Sequence, residues 1–114
     1  MKEMDFAGRW RIVEAPDMMD GYLDETPDPY IQINVESKNK VDGEYQFATQ
    51  DGNIDGRFET DKENNLRLSF SFEGSDEMTE VSGCGIATLE SPDTLLLKMH
   101  YHMGDTYTFI CKRK

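Results

Sequence analysis

Two histidines, His100 and His102, stand one residue apart in the segment "HYH". On a β-strand both imidazoles would lie on one face, roughly 7 Å apart, a spacing that suits a metal ion with a third ligand. Their phase is that of Lys98 and opposite that of the apolar residues nearby, so we expect them to point outward. No third histidine and no nearby cysteine completes the set, and we therefore predict no metal site and no cofactor.

The chain has two cysteines, Cys84 and Cys111, on predicted strands separated by a third strand. Their backbones would lie about 9–10 Å apart, whereas a disulfide needs Cα atoms within roughly 7 Å. We predict reduced thiols, with Cys111 facing inward and Cys84 outward. A nucleophilic cysteine needs a base and a group that orients the base. The histidines lie on a neighbouring strand, but nothing in the sequence orients them, so we predict that the protein is not an enzyme.

The acidic segment "SFEGSDEMTEVSGCG", residues 71–85, raises the question of a calcium site, because hard cations bind clustered carboxylates. Neither this segment nor "DETPD" has the alternating aspartates of a calcium-binding loop. The plainer interpretation is a hairpin loop of six to eight residues in which Gly74 and Ser75 shape the turn.

Alternation of apolar and polar residues dominates the chain, and turn residues interrupt it about every ten positions. It predicts eight strands, over residues 7–14, 30–36, 43–50, 53–60, 65–73, 79–90, 94–102 and 106–113. The "DGN" at 51–53 predicts a hairpin turn. Eight strands with one apolar face each must close or form a sandwich to bury that face. Sequential hairpins favour closure, so we predict an all-β fold: an eight-stranded antiparallel up-and-down β-barrel, with residues 1–114 as one domain.

The charge of the chain limits its partners. It has 114 residues, 23 acidic and 12 basic side chains and a formal net charge of −11. Such a surface repels phosphate backbones and anionic lipids, so neither nucleic acid nor a membrane is an expected partner. The longest apolar run is "LLL" at 95–97, and we expect a cytoplasmic protein.

Folding the meander gathers the acidic residues at one end of the barrel, because alternate connections lie at opposite ends. That end also gathers methionines, which are adaptable apolar side chains. Lysines gather at the other end. An acidic rim of this kind favours a cationic amphiphile or a basic protein; the alternative is that the charge only keeps the barrel in solution. The predicted rim consists of Glu14, Asp17, Asp20, Asp24, Glu25, Asp28, Asp51, Glu73, Asp76, Glu77, Glu80 and Asp105.

Gly8-Arg9-Trp10 in the first strand, a long first loop, eight meander strands and Arg113 in the last strand resemble the lipocalin-like (calycin) β-barrel superfamily. The resemblance implies that Trp10 plugs the closed end, that Arg113 packs across it and that the long first loop borders the open mouth. The chain departs from the family before the seventh strand, where "LESPDTL" replaces a Thr-Asp-Tyr-like motif. It also resembles a group of small bacterial proteins of no established function.

Gly83 and Gly85 share the inward phase of their strand and leave volume inside the barrel. That volume could hold a ligand, or it could be filled by large side chains opposite; alternatively, one glycine marks a β-bulge. We predict a non-catalytic binding protein that holds a small apolar or cationic ligand in or at the mouth of the barrel, in a cavity above roughly 300 Å³. The alternative is an acidic protein-interaction module, an inhibitor or nucleic-acid mimic, that docks a basic partner. The predicted ligand-binding residues are Trp10, Phe58, Phe70, Tyr101, Tyr107 and Arg113.

Overall fold

The computed structural model describes residues 2–17 and 27–113, and in them the chain forms an antiparallel β-barrel. Each strand pairs with the next along the chain, and β8 pairs with β1 to close the ring. The predicted fold class is therefore confirmed. A short 3₁₀ helix, Glu3–Phe6, precedes the strands β1 (Gly8–Glu14), β2 (Tyr30–Ser37), β3 (Lys40–Phe47), β4 (Gln50–Thr60), β5 (Leu66–Asp76), β6 (Thr79–Ser91), β7 (Thr94–Tyr101) and β8 (Thr106–Arg113).

The period-2 pattern positions the core. In β7, Leu95, Leu97 and Met99 are fully buried, while Lys98 and His100 between and beyond them are exposed. Alternate residues of a strand point to opposite faces of the sheet, so an alternating sequence supplies one interior and one exterior face. The outward orientation predicted for His100 is confirmed, and His102 is also exposed but lies in the turn after β7.

The turn predicted at 51–53 is wrong. Those residues lie inside β4, and the hairpin turns at Ala48 and Thr49, with Ala48 in the left-handed region at φ 53°. Gly52 serves packing instead, because a Cβ at this position would lie 2.6 Å from the hydroxyl oxygen of Tyr45.

The loop predicted within "EGSDEMTE" is wrong as well. Gly74 and Ser75 belong to β5, and only Glu77 and Met78 connect β5 to β6. Gly74 pairs with Gly52 of β4, and a Cβ on Gly74 would lie 2.0 Å from the backbone oxygen of Asp51. The neighbouring strand passes too close at this point for any side chain, and this explains the glycine within a strand.

One end of the barrel, here called the capped end, carries the 3₁₀ helix and the connections after β2, β4 and β6. Trp10 is fully buried there, and its indole N–H donates a hydrogen bond to the backbone oxygen of Phe6 at 2.9 Å. The guanidinium of Arg113 lies 4.1 Å from the centre of the Trp10 ring and donates to the backbone oxygens of Ala7 and Asp5. This arrangement is compatible with a calycin-like fold, and it places Trp10 and Arg113 where the resemblance implied.

Candidate functional site

The six predicted ligand-binding residues lie in different parts of the barrel. Trp10, Phe58 and Phe70 are buried in the core. Phe58 packs edge-on against Phe6 of the 3₁₀ helix, with the ring centres 5.0 Å apart, near the capped end. Arg113 is exposed at that end, whereas Tyr101 and Tyr107 are half-buried toward the opposite one. The structure therefore brings the two tyrosines together and keeps them apart from Trp10, Phe58 and Arg113.

The volume in front of Gly83 and Gly85 is occupied by aromatic rings. Gly83 pairs with Phe72 and Gly85 with Phe70 across the β5–β6 ladder. A Cβ on Gly85 would lie 2.5 Å from the Phe70 ring, and one on Gly83 would lie 2.9 Å from the Phe72 ring. Of the predicted alternatives, filling by large side chains is the one observed. The bulge is not at either glycine, since the register of β6 on β7 shifts only between Leu89 and Ser91.

The end opposite the capped end, here called the acidic end, carries the connections after β1, β3, β5 and β7. Just inside it, the Tyr101 hydroxyl donates a 2.5 Å hydrogen bond to the side-chain oxygen of Gln50. Gln50 is only 6% exposed. The Tyr101 ring packs edge-on against Phe72 at 5.0 Å and against Tyr107 at 5.5 Å between ring centres. A buried amide is thus hydrogen-bonded to a tyrosine whose ring packs against two other aromatic rings.

Tyr45 completes this group, which we call the tyrosine cluster: Tyr45, Gln50, Phe72, Tyr101 and Tyr107. Tyr45 is 1% exposed, and its hydroxyl has no hydrogen-bond partner among the described residues. Its ring packs edge-on against Phe72, with 6.0 Å between ring centres. Burial, with a smaller contribution from the Asp51 carboxylate, raises the pKa of Tyr45 to about 12, so the hydroxyl keeps its proton at neutral pH. The cluster therefore holds a buried donor that a ligand acceptor could satisfy.

Part of the predicted acidic rim lies where expected. Glu77 is in the β5–β6 turn, Asp105 directly precedes β8, and the Asp76 carboxylate accepts a hydrogen bond from the Thr49 hydroxyl. Glu73 lies three residues inside β5 on its outer face, so it borders the wall rather than the end. Asp20, Asp24 and Glu25 lie outside the described residues. In the described parts of the four acidic-end connections (15–17, 27–29, 48–49, 77–78 and 102–105) there is no lysine or arginine.

Sequence reasoning missed Tyr45 and Gln50 as site residues. The signal for Gln50 was present, because it shares the inward phase of Ile54 and Phe58. It was hidden by the turn predicted at 51–53, which placed Gln50 in the preceding strand. No signal in the sequence indicates that the Tyr45 hydroxyl lacks a partner.

The outer wall carries a separate groove of about 600 Å³ across β4, β5, β6 and β7. Its lining includes the short side chains of Ser71, Ser82 and Cys84 and the imidazole of His100. Cys84 is exposed and Cys111 is buried, both as free thiols, and burial raises the pKa of Cys111 to about 12. Among residues 2–17 and 27–113, no three His, Cys, Asp or Glu side chains are grouped so that they could hold a metal ion.

In the described ranges, no helix is both long enough and apolar enough to span a bilayer. A barrel of this geometry could bind a ligand. Comparison with models of known protein families found no match, and comparison with curated proteins found none.

Proposed function

We propose that the protein is a non-catalytic binding protein that takes a small ligand with an apolar or cationic portion at the acidic end of the barrel. The observation that carries this proposal is the Tyr45 hydroxyl, which is buried and has no hydrogen-bond partner among the described residues. A buried hydroxyl without a partner costs about 1–3 kcal/mol, and a ligand acceptor would remove that cost.

The chemistry of the tyrosine cluster defines the ligand class. Aromatic faces bind apolar groups and also attract cations through their negative π-surfaces. The carboxylates of Asp76, Glu77 and Asp105 at the same end add attraction for positive charge and repel anions. The fitting ligand therefore has an apolar or ammonium portion for the rings and one acceptor for Tyr45.

The packing of the core limits how deep the ligand lies. Trp10 and Phe58 close the capped half of the barrel, and Phe70 fills the space in front of Gly85. In the proposal, binding is confined to the half nearer the acidic end, because Trp10, Phe58 and Phe70, which were predicted to line the cavity, are packed in the core.

The test begins with native mass spectrometry of the purified protein, in which a co-purified small molecule is expected. Hydroxyalkyltrimethylammonium ions and hydroxyalkyl sulfonates of equal chain length, both with a hydroxyl oxygen as acceptor, are then titrated while amide and ring signals are followed by NMR. The ammonium series is expected to shift signals of Tyr45, Gln50 and Tyr101. Absence of a bound molecule, together with no shift in the cluster from either series, would overturn the proposal.

Two variants locate the site. For the ligand that co-purifies, Tyr45→Phe is expected to weaken binding by up to about tenfold, the value of one hydrogen bond. Tyr30→Phe is the matched control, since Tyr30 lies at the start of β2 beneath the Arg9 guanidinium. It should leave affinity unchanged. Equal effects of both changes would place the ligand elsewhere.

The second candidate function is docking of a basic protein on the acidic end. It is favoured by the carboxylates in the described parts of the four connections, which no lysine or arginine accompanies there. Exposed charges are screened over about 10 Å at 0.1 M salt, so such binding should weaken at least about tenfold between 50 and 300 mM salt. Binding that is insensitive to salt would exclude this candidate.

A further inference from the structure

A row of four side chains crosses the outer wall of the barrel, away from the tyrosine cluster. Ser71 of β5 pairs with Cys84 of β6, Cys84 pairs with His100 of β7, and His100 pairs with Thr106 of β8. Direct cross-strand partners have Cβ atoms about 5 Å apart on the same face. The thiol and the imidazole are therefore neighbours on one exposed surface.

The imidazole of His100 is oriented by a hydrogen bond. Its Nδ1 lies 2.6 Å from the hydroxyl oxygen of Thr106. When Nδ1–H donates to that oxygen, Nε2 keeps its lone pair and can accept a proton. The sequence suggested no group that would orient this base, and Thr106 supplies one. A nucleophile, a base and an orienting group are the parts that an activated cysteine requires.

Three members of the row, Ser71, Cys84 and His100, line the outer groove of about 600 Å³, which is within the range of small-molecule sites. Carboxylates of Asp55 and Glu73 line it, and among the described residues no lysine or arginine does. The groove therefore favours a ligand that carries an ammonium group.

We propose that Cys84 is a covalent modification site for small disulfides that carry an ammonium group, with His100 as the base that takes the thiol proton. The Cys84 sulfur attacks one sulfur of the disulfide, so that a new S–S bond forms and the old one breaks. The Cys84 proton passes to Nε2 of His100 and then to the departing sulfur, which leaves as a free thiol. The protein thiol is oxidised and one half of the disulfide is reduced, with no other reactant.

The full-length protein is incubated at pH 7 and 0.15 M salt with cystamine, a disulfide with two ammonium groups, and its intact mass is followed over time. One cysteamine adduct is expected, located at Cys84 by peptide mapping and lost in Cys84→Ser. The buried Cys111 is the internal control and should stay unmodified in the folded protein. Modification of Cys111 before Cys84 would overturn the proposal.

The base is tested by a matched pair of histidine variants. A general base in an enzyme contributes about a hundredfold or more to the rate. We therefore expect His100→Gln to slow the reaction by at least about tenfold. His102→Gln, which changes the exposed histidine in the turn directly after β7, should stay within about twofold of the wild type. Equal rates for wild type and His100→Gln, or equal slowing by both variants, would contradict the assignment of His100.

Thr106 is a positioning residue in this proposal, and its test separates orientation from general structure. Thr106→Val should slow modification, and Thr106→Ser should restore the rate, because it keeps the hydroxyl. The rates of Cys84 modification in wild type and His100→Gln should become more similar at high pH, because hydroxide then removes the thiol proton without the imidazole. The ionisable groups bordering the row are Asp55, Glu73, Lys98 and His102. A valine variant as fast as the wild type would remove Thr106 from the mechanism.

The charge preference is tested with three disulfides. Cystamine should react faster than neutral 2-hydroxyethyl disulfide, and dithiodiglycolate, which is anionic, should be slowest. Glu73→Gln should reduce the preference for cystamine, whereas Glu90→Gln, which removes a carboxylate on β6 outside this groove, should not. The same loss from both changes would mean that the overall charge of the protein, and not the groove, selects the disulfide.

Discussion

The two ends of the barrel differ in whether the polar group of a buried aromatic side chain has a hydrogen-bond partner. At the capped end, Trp10 is fully buried, and its N–H donates to Phe6 while Arg113 covers its ring. Toward the acidic end, Tyr45 is almost as deeply buried, yet its hydroxyl has no partner among the described residues. Native proteins pair nearly all of their buried polar atoms, so the exception needs an explanation.

The difference indicates different roles for the two ends: the capped end stabilises the barrel, and in our proposal the acidic end binds the ligand. Groups at the capped end satisfy one another within the chain and hold the barrel closed. The tyrosine cluster leaves a donor for another molecule, and functional sites are where a fold tolerates such a cost. Four predictions test this contrast: three substitutions, from the largest expected change in stability at neutral pH to the smallest, and then one pH dependence.

Trp10→Ala should lower the free energy of unfolding by about 3–5 kcal/mol, the range for removal of a large buried aromatic side chain. It also leaves the Phe6 oxygen without its donor and Arg113 without a ring to cover. Urea denaturation followed by far-UV circular dichroism measures the loss. Trp10→Phe, which keeps a ring, should lose less. A loss below about 1 kcal/mol would show that the capped end does not hold the barrel.

Arg113→Ala should cost about 1 kcal/mol, because it removes an exposed cation–π contact and hydrogen bonds to Ala7 and Asp5. The same denaturation experiment applies. Lys112→Ala, at the neighbouring exposed residue of β8, is the control. It should leave the free energy of unfolding nearly unchanged. If Lys112→Ala costs as much, the effect belongs to charge at this end and not to the contact with Trp10.

Tyr45→Phe should raise the free energy of unfolding by about 1 kcal/mol, the low end of the cost of a buried donor that has no partner. Tyr101→Phe is the matched change in the same cluster. It should cost about 1 kcal/mol, since it breaks the hydrogen bond to Gln50. Equal losses from both variants would show that the Tyr45 hydroxyl is paired within the fold.

The ionisation of Tyr45 should not affect the free energy of unfolding at neutral pH. Its effect should appear only in alkali. The pKa of Tyr45 in the folded protein is raised to about 12, above the usual value of 10.0, so the folded state holds the proton more tightly than the unfolded state. The resulting stability is fully present below pH 10 and is lost as pH rises through 12. The wild type should therefore lose more stability than Tyr45→Phe between pH 10 and 12. Parallel pH curves for the two proteins would contradict this.

Much of the fold could be predicted from sequence because alternation reports which face of a strand is buried. The capped end was also predictable, since Trp10 and Arg113 stand at recognisable positions. The turns at Ala48–Thr49 and Glu77–Met78 were not, because they contain no glycine, asparagine or proline. Gly52 and Gly74 suggested turns, but they are small because Tyr45 and a neighbouring backbone approach them. Those approaches come from the neighbouring strands, whereas the tyrosine cluster joins residues far apart in sequence, such as Gln50 and Tyr101, so it could not be read from local patterns.

Closure of the ring by β1 and β8 has a consequence for how the chain folds. Seven of the eight strand pairings join sequence neighbours, but Trp10 pairs with Arg113 at the other end of the sequence. Until β8 has been synthesised, β1 and β7 each present an unpaired edge that can recruit other chains. Long-range closure is also the slow kind of contact to form. During synthesis on a ribosome, the incomplete barrel is therefore the aggregation-prone species, and completion of the last hairpin ends that exposure.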